Sequence, residues 1–130
     1  MTPAPTPSAV LFVTDVRHVT DFYRGVFAME RVDGDADHDV LQIEGFQLVV
    51  HRLRGEPNPS KDAEGKVIVR EDSYVKLCLP VLSIDAARTR AQELGGFIKP
   101  GAHEWEARGF RACDGHDPEG NVIQARERAA

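Results

Sequence analysis

The chain has 130 residues, 42% of them hydrophobic, and a formal net charge of −5 at pH 7. That length is one domain's worth and can bury a real core. The acidic balance, with no Lys/Arg cluster, argues against nucleic acid, and no window approaches the roughly 20 apolar residues of a membrane helix.

In chain order, the opening MTPAPTPS lacks the basic and apolar regions of a signal peptide. Its prolines mark residues 1–7 as a disordered tail. With no secretory signal, Cys78 and Cys113 read as free thiols and the expected location is cytoplasmic. The segment AVLFVTDVRHVTDFYRGVFAM is a β-rich run followed by a helical period. Val16, Val19, Tyr23 and Val26 form the buried stripe, which Phe22 and Phe27 widen. Strands are expected at Glu30–Asp33, Val40–Ile43 and Gln47–Leu53, the last two parted by Glu44-Gly45. The polar, turn-rich stretch Arg54–Asp72 reads as a linker, with a short strand at Lys66–Val69. It is either a lid over a pocket or a plain solvated connection.

The segment KLCLPVLSIDAARTRAQELGGF then repeats the opening pattern. Ile84, Ala87, Ala91 and Leu94 form its stripe, and Gly95-Gly96 stops the helix. A shift of 68 registers Val13 on Val81, Val16 on Ile84 and Tyr23 on Ala91. Strands are expected at Phe97–Pro100, Arg108–Cys113 and Asn121–Arg126. Each half therefore reads β-α-β-β-β, and the matching order of elements supports an internal repeat. The fold class is α+β: residues 8–126 form one domain of two βαβββ modules, 8–53 and 73–126, joined by 54–72.

VTDVRHVTDFYRGVFAM and the closing EWEARGFRACDGHDPEGNVIQ, with its DPEGN turn, make the chain resemble the vicinal oxygen chelate superfamily. Glyoxalase I, bleomycin-resistance proteins, fosfomycin-resistance enzymes and extradiol dioxygenases belong to it. The match spans about Ser8 to Arg126. Two departures stand out: Phe27-Ala28 replaces the usual Leu-Gly after the first helix, and ACDGH lengthens the approach to the turn. The resemblance implies a curved mixed sheet around a concave cavity, a homodimer with cavities between modules of different chains, and a small-molecule ligand. In metal-dependent relatives the ligands come from the first and last strand of each module.

Carried onto this chain, those positions read Ser8, His51, Lys76 and Gln124. His51 is a good ligand and Gln124 a tolerable neutral donor, but a serine hydroxyl is weak. A lysine ammonium has no lone pair and repels a cation by about 4 kcal/mol at 4 Å for an effective dielectric near 20, per unit-charge pair. A catalytic Zn²⁺ usually takes three strong protein ligands. The expectation is therefore no metal and no cofactor; were a Zn or Ni ion present, His51 and Gln124 would be the ligands. Lys76 either stands in the place of the metal and holds an anionic or carbonyl-bearing ligand, or faces solvent through a register slip of one. His51 either contacts the ligand or hydrogen-bonds within the cavity. Trp105 and Phe110 either stack on a flat ligand, or Trp105 caps the core. Cys78 reads as a small filler. His103, Glu104 and His116 either cluster around a metal or are surface groups on loops, and His18 and His38 are isolated.

Three functions follow in order. The first is metal-independent binding of a small ligand at Ser8, His51, Lys76, Trp105, Phe110 and Gln124. The second is a metal-dependent lyase or dioxygenase resembling glyoxalase I. The third is a degenerate module kept for dimerisation or protein interaction.

Overall fold

The computed structural model describes residues 3–57 and 59–129; of the expected tail, Met1 and Thr2 lie outside them. The elements follow the repeat. The first module runs β1 (Ser8–Val13), α1 (Val16–Phe27), β2 (Glu30–Gly34), β3 (His38–Ile43) and β4 (Phe46–Arg52). The second runs β5 (Leu77–Pro80), α2 (Ile84–Glu93), β6 (Phe97–Ile98), β7 (Trp105–Ala107), β8 (Phe110–His116) and β9 (Val122–Arg128). The fold class is α+β: the first unit is βαβββ, the second follows the same order with one extra short strand, β7, and the hydrogen bonds divide the strands into sheets of four and five. One has the order β1-β4-β3-β2; the other has β5-β9-β8-β6, with β7 on the outside of β8. In each, the first strand lies parallel to the last and the remaining pairs are antiparallel.

Both helical stripes face inward. Val19 and Tyr23 on α1, and Ile84 and Ala91 on α2, are all at most 1% exposed. α1 packs on β3, β4 and α2, and α2 on β6 and β9, so one core is shared by both units. The helices approach closely where Gly25 of α1 faces Arg90 and Leu94 at the end of α2, and Gly96 just beyond meets the Phe22 ring; neither place has room for a Cβ. Asp15 caps α1 by accepting from the His18 N–H at 3.1 Å, and Ser83 caps α2 by accepting from Ala86 at 3.1 Å. α1 ends on Ala28 at φ 53°, the left-handed conformation that glycine fills without strain.

Most strand limits differ from the sequence reading by one or two residues: β3 starts at His38, β6 ends at Ile98 and β9 runs on to Arg128. Around β8 and in the linker the difference has a local reason. Arg108 and Gly109 both have positive φ and join Ala107 to Phe110, so they are the tight turn of a β7–β8 hairpin rather than part of a strand. β8 consequently starts at Phe110 and runs on to His116, past the expected end at Cys113. Lys66–Val69 forms only the isolated bridge Lys61↔Val67. The linker still has a defined seat: the Arg70 N–H donates to the Gly120 carbonyl at 2.8 Å. Gly120, at φ +82°, also lies against the Ile68 carbonyl, where any side chain would collide.

The DPEGN turn ties the two units together. Asp117 is fully buried and accepts from the Tyr23 hydroxyl at 2.9 Å, from both Asn121 N–H groups, and from the Glu119 backbone. Burial raises its carboxyl above the usual aspartate range, although these donors oppose the shift. Burial, and then the Asp117 charge, raise the Tyr23 phenol well above its ordinary value, so Tyr23 remains the donor. The Glu119 carboxylate reaches back to accept from Thr14 N and Asp15 N, each at 2.7 Å.

Candidate functional site

The second sheet carries the more enclosed of the two hollows considered, about 310 Å³. Phe97, Val122 and Val69 give it apolar walls, while Lys76, Lys99, Glu71, Asp114 and His116 supply its polar lining. A few polar groups set in an apolar concavity are the usual make-up of a small-molecule site. A larger hollow of about 590 Å³ lies between the start of α1 and Arg52–Pro57. Thr14, Asp15, Arg17 and Arg52 line it beside Val16 and Leu53, but it is more open to solvent, so the smaller cavity is the better candidate.

Strand pairing explains the convergence. His116 lies opposite Val122 and Asp114 opposite Gln124 across the β8–β9 hairpin, which puts alternate residues on one face. Asp114 Oδ1 accepts from Lys76 Nζ at 3.2 Å and from Gln124 Nε2 at 3.0 Å, and Gln124 Oε1 accepts from Arg126 Nε at 2.7 Å. Burial raises the Asp114 carboxyl, but the hydrogen bonds from Gln124 and Lys76 and the nearby ammonium charges outweigh it, so the group sits below the usual range. Lys99 makes no ion pair among the described residues. His116 Nδ1 lies 2.9 Å from the Asp117 carbonyl, which can only accept, so in the neutral ring Nδ1 carries the proton and Nε2 keeps the lone pair.

The six residues singled out in the sequence fall in three places. Lys76 lines the cavity, and Gln124, 5% exposed, lies behind Asp114. Trp105 and Phe110 lie further along the sheet. Phe110 is flanked by guanidinium groups, with Arg126 at 4.3 Å and Arg108 at 5.0 Å, while Trp105 meets its edge at 6.1 Å and is 42% exposed. Ser8 and His51 belong to the other sheet. Ser8 pairs with Gln47 and His51 with Phe12, four residues along the strand, roughly 13 Å at 3.3 Å per residue.

This register bears directly on a metal. Val10 pairs with Val49, and its counterpart 68 residues on, Cys78, pairs with Gln124. The structural twin of Gln124 is thus Val49, and that of His51 is Arg126, opposite Pro80. The four positions become Ser8, Val49, Lys76 and Gln124, with Lys76 one residue before the start of β5. This set has no imidazole and no carboxylate, so it does not fit a divalent ion. Among the described residues no group of three or more His, Cys, Asp or Glu side chains could hold a metal.

The sequence reading missed Asp114, His116, Lys99, Phe97 and Val122. Strand alternation through DGH would have found the first two, had β8 not been ended at Cys113.

A family model described as a glyoxalase-like domain matches residues 8–125. No curated protein matches the chain. Solved structures do. An integron cassette protein from the mobile metagenome of V. cholerae is 23% identical, with 98% of this chain and 97% of that one covered and a TM-score of 0.63. A glyoxalase/bleomycin resistance protein/dioxygenase family enzyme from Burkholderia phytofirmans is 15% identical over 96% and 99%, with a TM-score of 0.68. The fosfomycin resistance protein FosX from Listeria monocytogenes, solved with Mn(II) and a dihydroxypropylphosphonic acid, is 16% identical over 99% and 93%, with a TM-score of 0.64.

Proposed function

Since the chain belongs to the glyoxalase-like domain family, we propose that it binds a small anionic or carbonyl-bearing molecule without a metal ion, in the cavity of the second module. The observation that carries this reading is the division of labour between the two lysines. Lys76 is engaged by Asp114, whereas Lys99 reaches the same cavity without a carboxylate partner among the described residues. A ligand oxygen can take up the free ammonium, and His116 Nε2 can accept from a ligand hydroxyl. Phe97 and Val122 would cover the apolar body of the ligand. A FosX mutant was solved in complex with Mn(II) and a dihydroxypropylphosphonic acid; in the reading proposed for this chain, ammonium groups supply the positive charge. The donor set above counts against a metal-dependent lyase or dioxygenase.

The reading includes a cytoplasmic homodimer. Val10 and Phe12 are 50% and 56% exposed on the open face of the first sheet, an apolar strip that a second copy would cover.

The test is a melting screen of the protein with small carboxylates, phosphonates and α-keto acids against matched amines, with and without EDTA. Ligand at 100 times its dissociation constant adds about 2.7 kcal/mol of stability. An anionic hit that survives EDTA and weakens about tenfold in Lys99→Met supports the proposal. Hits confined to amines, or abolished by EDTA, refute it.

A further inference from the structure

His38 and His51 face each other across β3 and β4, a directly opposed antiparallel pair. Their rings are nearly parallel, 15° apart in plane with centroids 5.7 Å apart. Each ring is held by the same nitrogen. His51 Nδ1 lies 2.8 Å from the Arg52 carbonyl, and His38 Nδ1 lies 2.8 Å from Asp35 Oδ1. Both partners accept, so in each neutral ring Nδ1 carries the proton and Nε2 keeps the lone pair. An Nδ1–H fixed on a carbonyl or carboxylate, with Nε2 free, is how proteins orient a metal-ligating histidine. Asp35 is itself fixed, since its Oδ1 also accepts from the backbone N–H groups of Asp37 and His38 at 2.8 and 3.1 Å. Phe12 packs at a tilt against His51, 5.7 Å between centroids, and limits where that ring can turn.

From this geometry we propose that His38 and His51 form a two-imidazole site for a borderline divalent transition ion, of the Cu²⁺, Ni²⁺ or Zn²⁺ class. Directly opposed strand residues have Cβ atoms about 4.5–5.5 Å apart, so both side chains can serve one ion. Metal–nitrogen bonds of about 2.0–2.1 Å need the two Nε2 atoms about 3 Å apart, so binding requires the two near-parallel rings to tilt toward each other. Asp35 lends negative charge behind one ligand, and water fills the remaining positions. With nitrogen ligands and no coordinating carboxylate, the site favours Cu²⁺ over Ni²⁺ and Zn²⁺ and discriminates against Mg²⁺ and Ca²⁺. It lies on the other sheet from the Lys99 cavity and does not rest on that cavity's assignment. It also differs from the first-and-last-strand positions, because His38 comes from β3.

Calorimetric titration of tag-free protein with CuCl₂ and NiCl₂ at neutral pH tests it, with the Cu²⁺ electron paramagnetic resonance spectrum as a second readout. The expected result is one Cu²⁺ per chain with hyperfine coupling to two nitrogens. His38→Ala and His51→Ala should each lose about tenfold or more in affinity, and the double variant should lose little beyond the larger single loss. Asp35→Asn, which removes no ligand, should weaken binding by up to about tenfold. His103→Ala should bind like the parent. Should His51→Ala fail to fold, His51→Gln keeps a polar side chain there and must show the same loss. Absence of Cu²⁺ binding, or single-histidine variants within about twofold of the parent, would overturn the proposal.

Discussion

Truncating Glu119 tests the link between the two modules. In an isolated helix, the N–H of the capping residue is often satisfied by a Glu three positions on. Here that position is His18, and the carboxylate comes instead from Glu119, which accepts from Thr14 N and Asp15 N at 2.7 Å. Hydrogen bonds to a charged group contribute about 1.5–3 kcal/mol each. Glu119 is 9% exposed, so water replaces it poorly. Glu119→Ala should therefore cost about 3–5 kcal/mol, and Glu119→Gln, which keeps one acceptor oxygen, about half as much. At this chain length, 3 kcal/mol corresponds to a fall of about 10 °C or more in Tm. Urea unfolding followed by circular dichroism reads the loss, and amide exchange at Thr14 and Asp15 should accelerate in both variants. An alanine variant within about 1 kcal/mol of the parent would refute the reasoning, as would a glutamine variant equal to it.

Ala28→Gly should raise stability by about 0.5–1 kcal/mol, because φ 53° strains alanine and not glycine; a lower urea midpoint would contradict this. Lys76→Met tests the pH linkage of Asp114, whose folded carboxyl lies below its ordinary value. A depressed acid stabilises the fold above the unfolded value and loses that contribution as the pH falls through the folded one. The gap between parent and variant, up to about 1 kcal/mol for this half-exposed pair, should thus be full near neutrality and close below about pH 4. A gap that widens in acid would reverse the sign. Phe12→Asp should convert a sedimenting dimer to monomer while leaving the circular dichroism spectrum unchanged; a parent that is already monomeric removes the basis for the dimer.

What could be read in the sequence was the part carried by local periodicity. The Val19/Tyr23 and Ile84/Ala91 stripes repeat every turn, and Asp15 and Ser83 stand where caps belong, so both helices and their order were legible. Register between strands was not. Val49 and His51 share a face and differ by one pleat, so alternation alone accepts either as the twin of Gln124; only the pairing of Val10 with Val49 decides. β7 has three residues and no period to detect, and missing it displaced the start of β8. The linker's contact with Gly120 is a backbone contact of irregular chain, for which side-chain pattern holds no signal. His38 looked solitary for a similar reason: its neighbour lies 13 positions away and becomes adjacent only through the β3–β4 turn.

The reach of Glu119 to the start of α1 also has a consequence for synthesis. The helix entry at Thr14 and Asp15 stays incomplete until a side chain more than a hundred residues later has emerged. At about 5–20 residues per second that interval is roughly 5–20 s, long against the microsecond in which a helix forms. Through it the first module can form its turns and hairpin, but its entry N–H groups stay with water and Tyr23 waits for Asp117. Non-local closure of this kind slows folding. A chain stalled before the DPEGN turn should therefore present the first module to chaperones and proteases as an open, degradable intermediate.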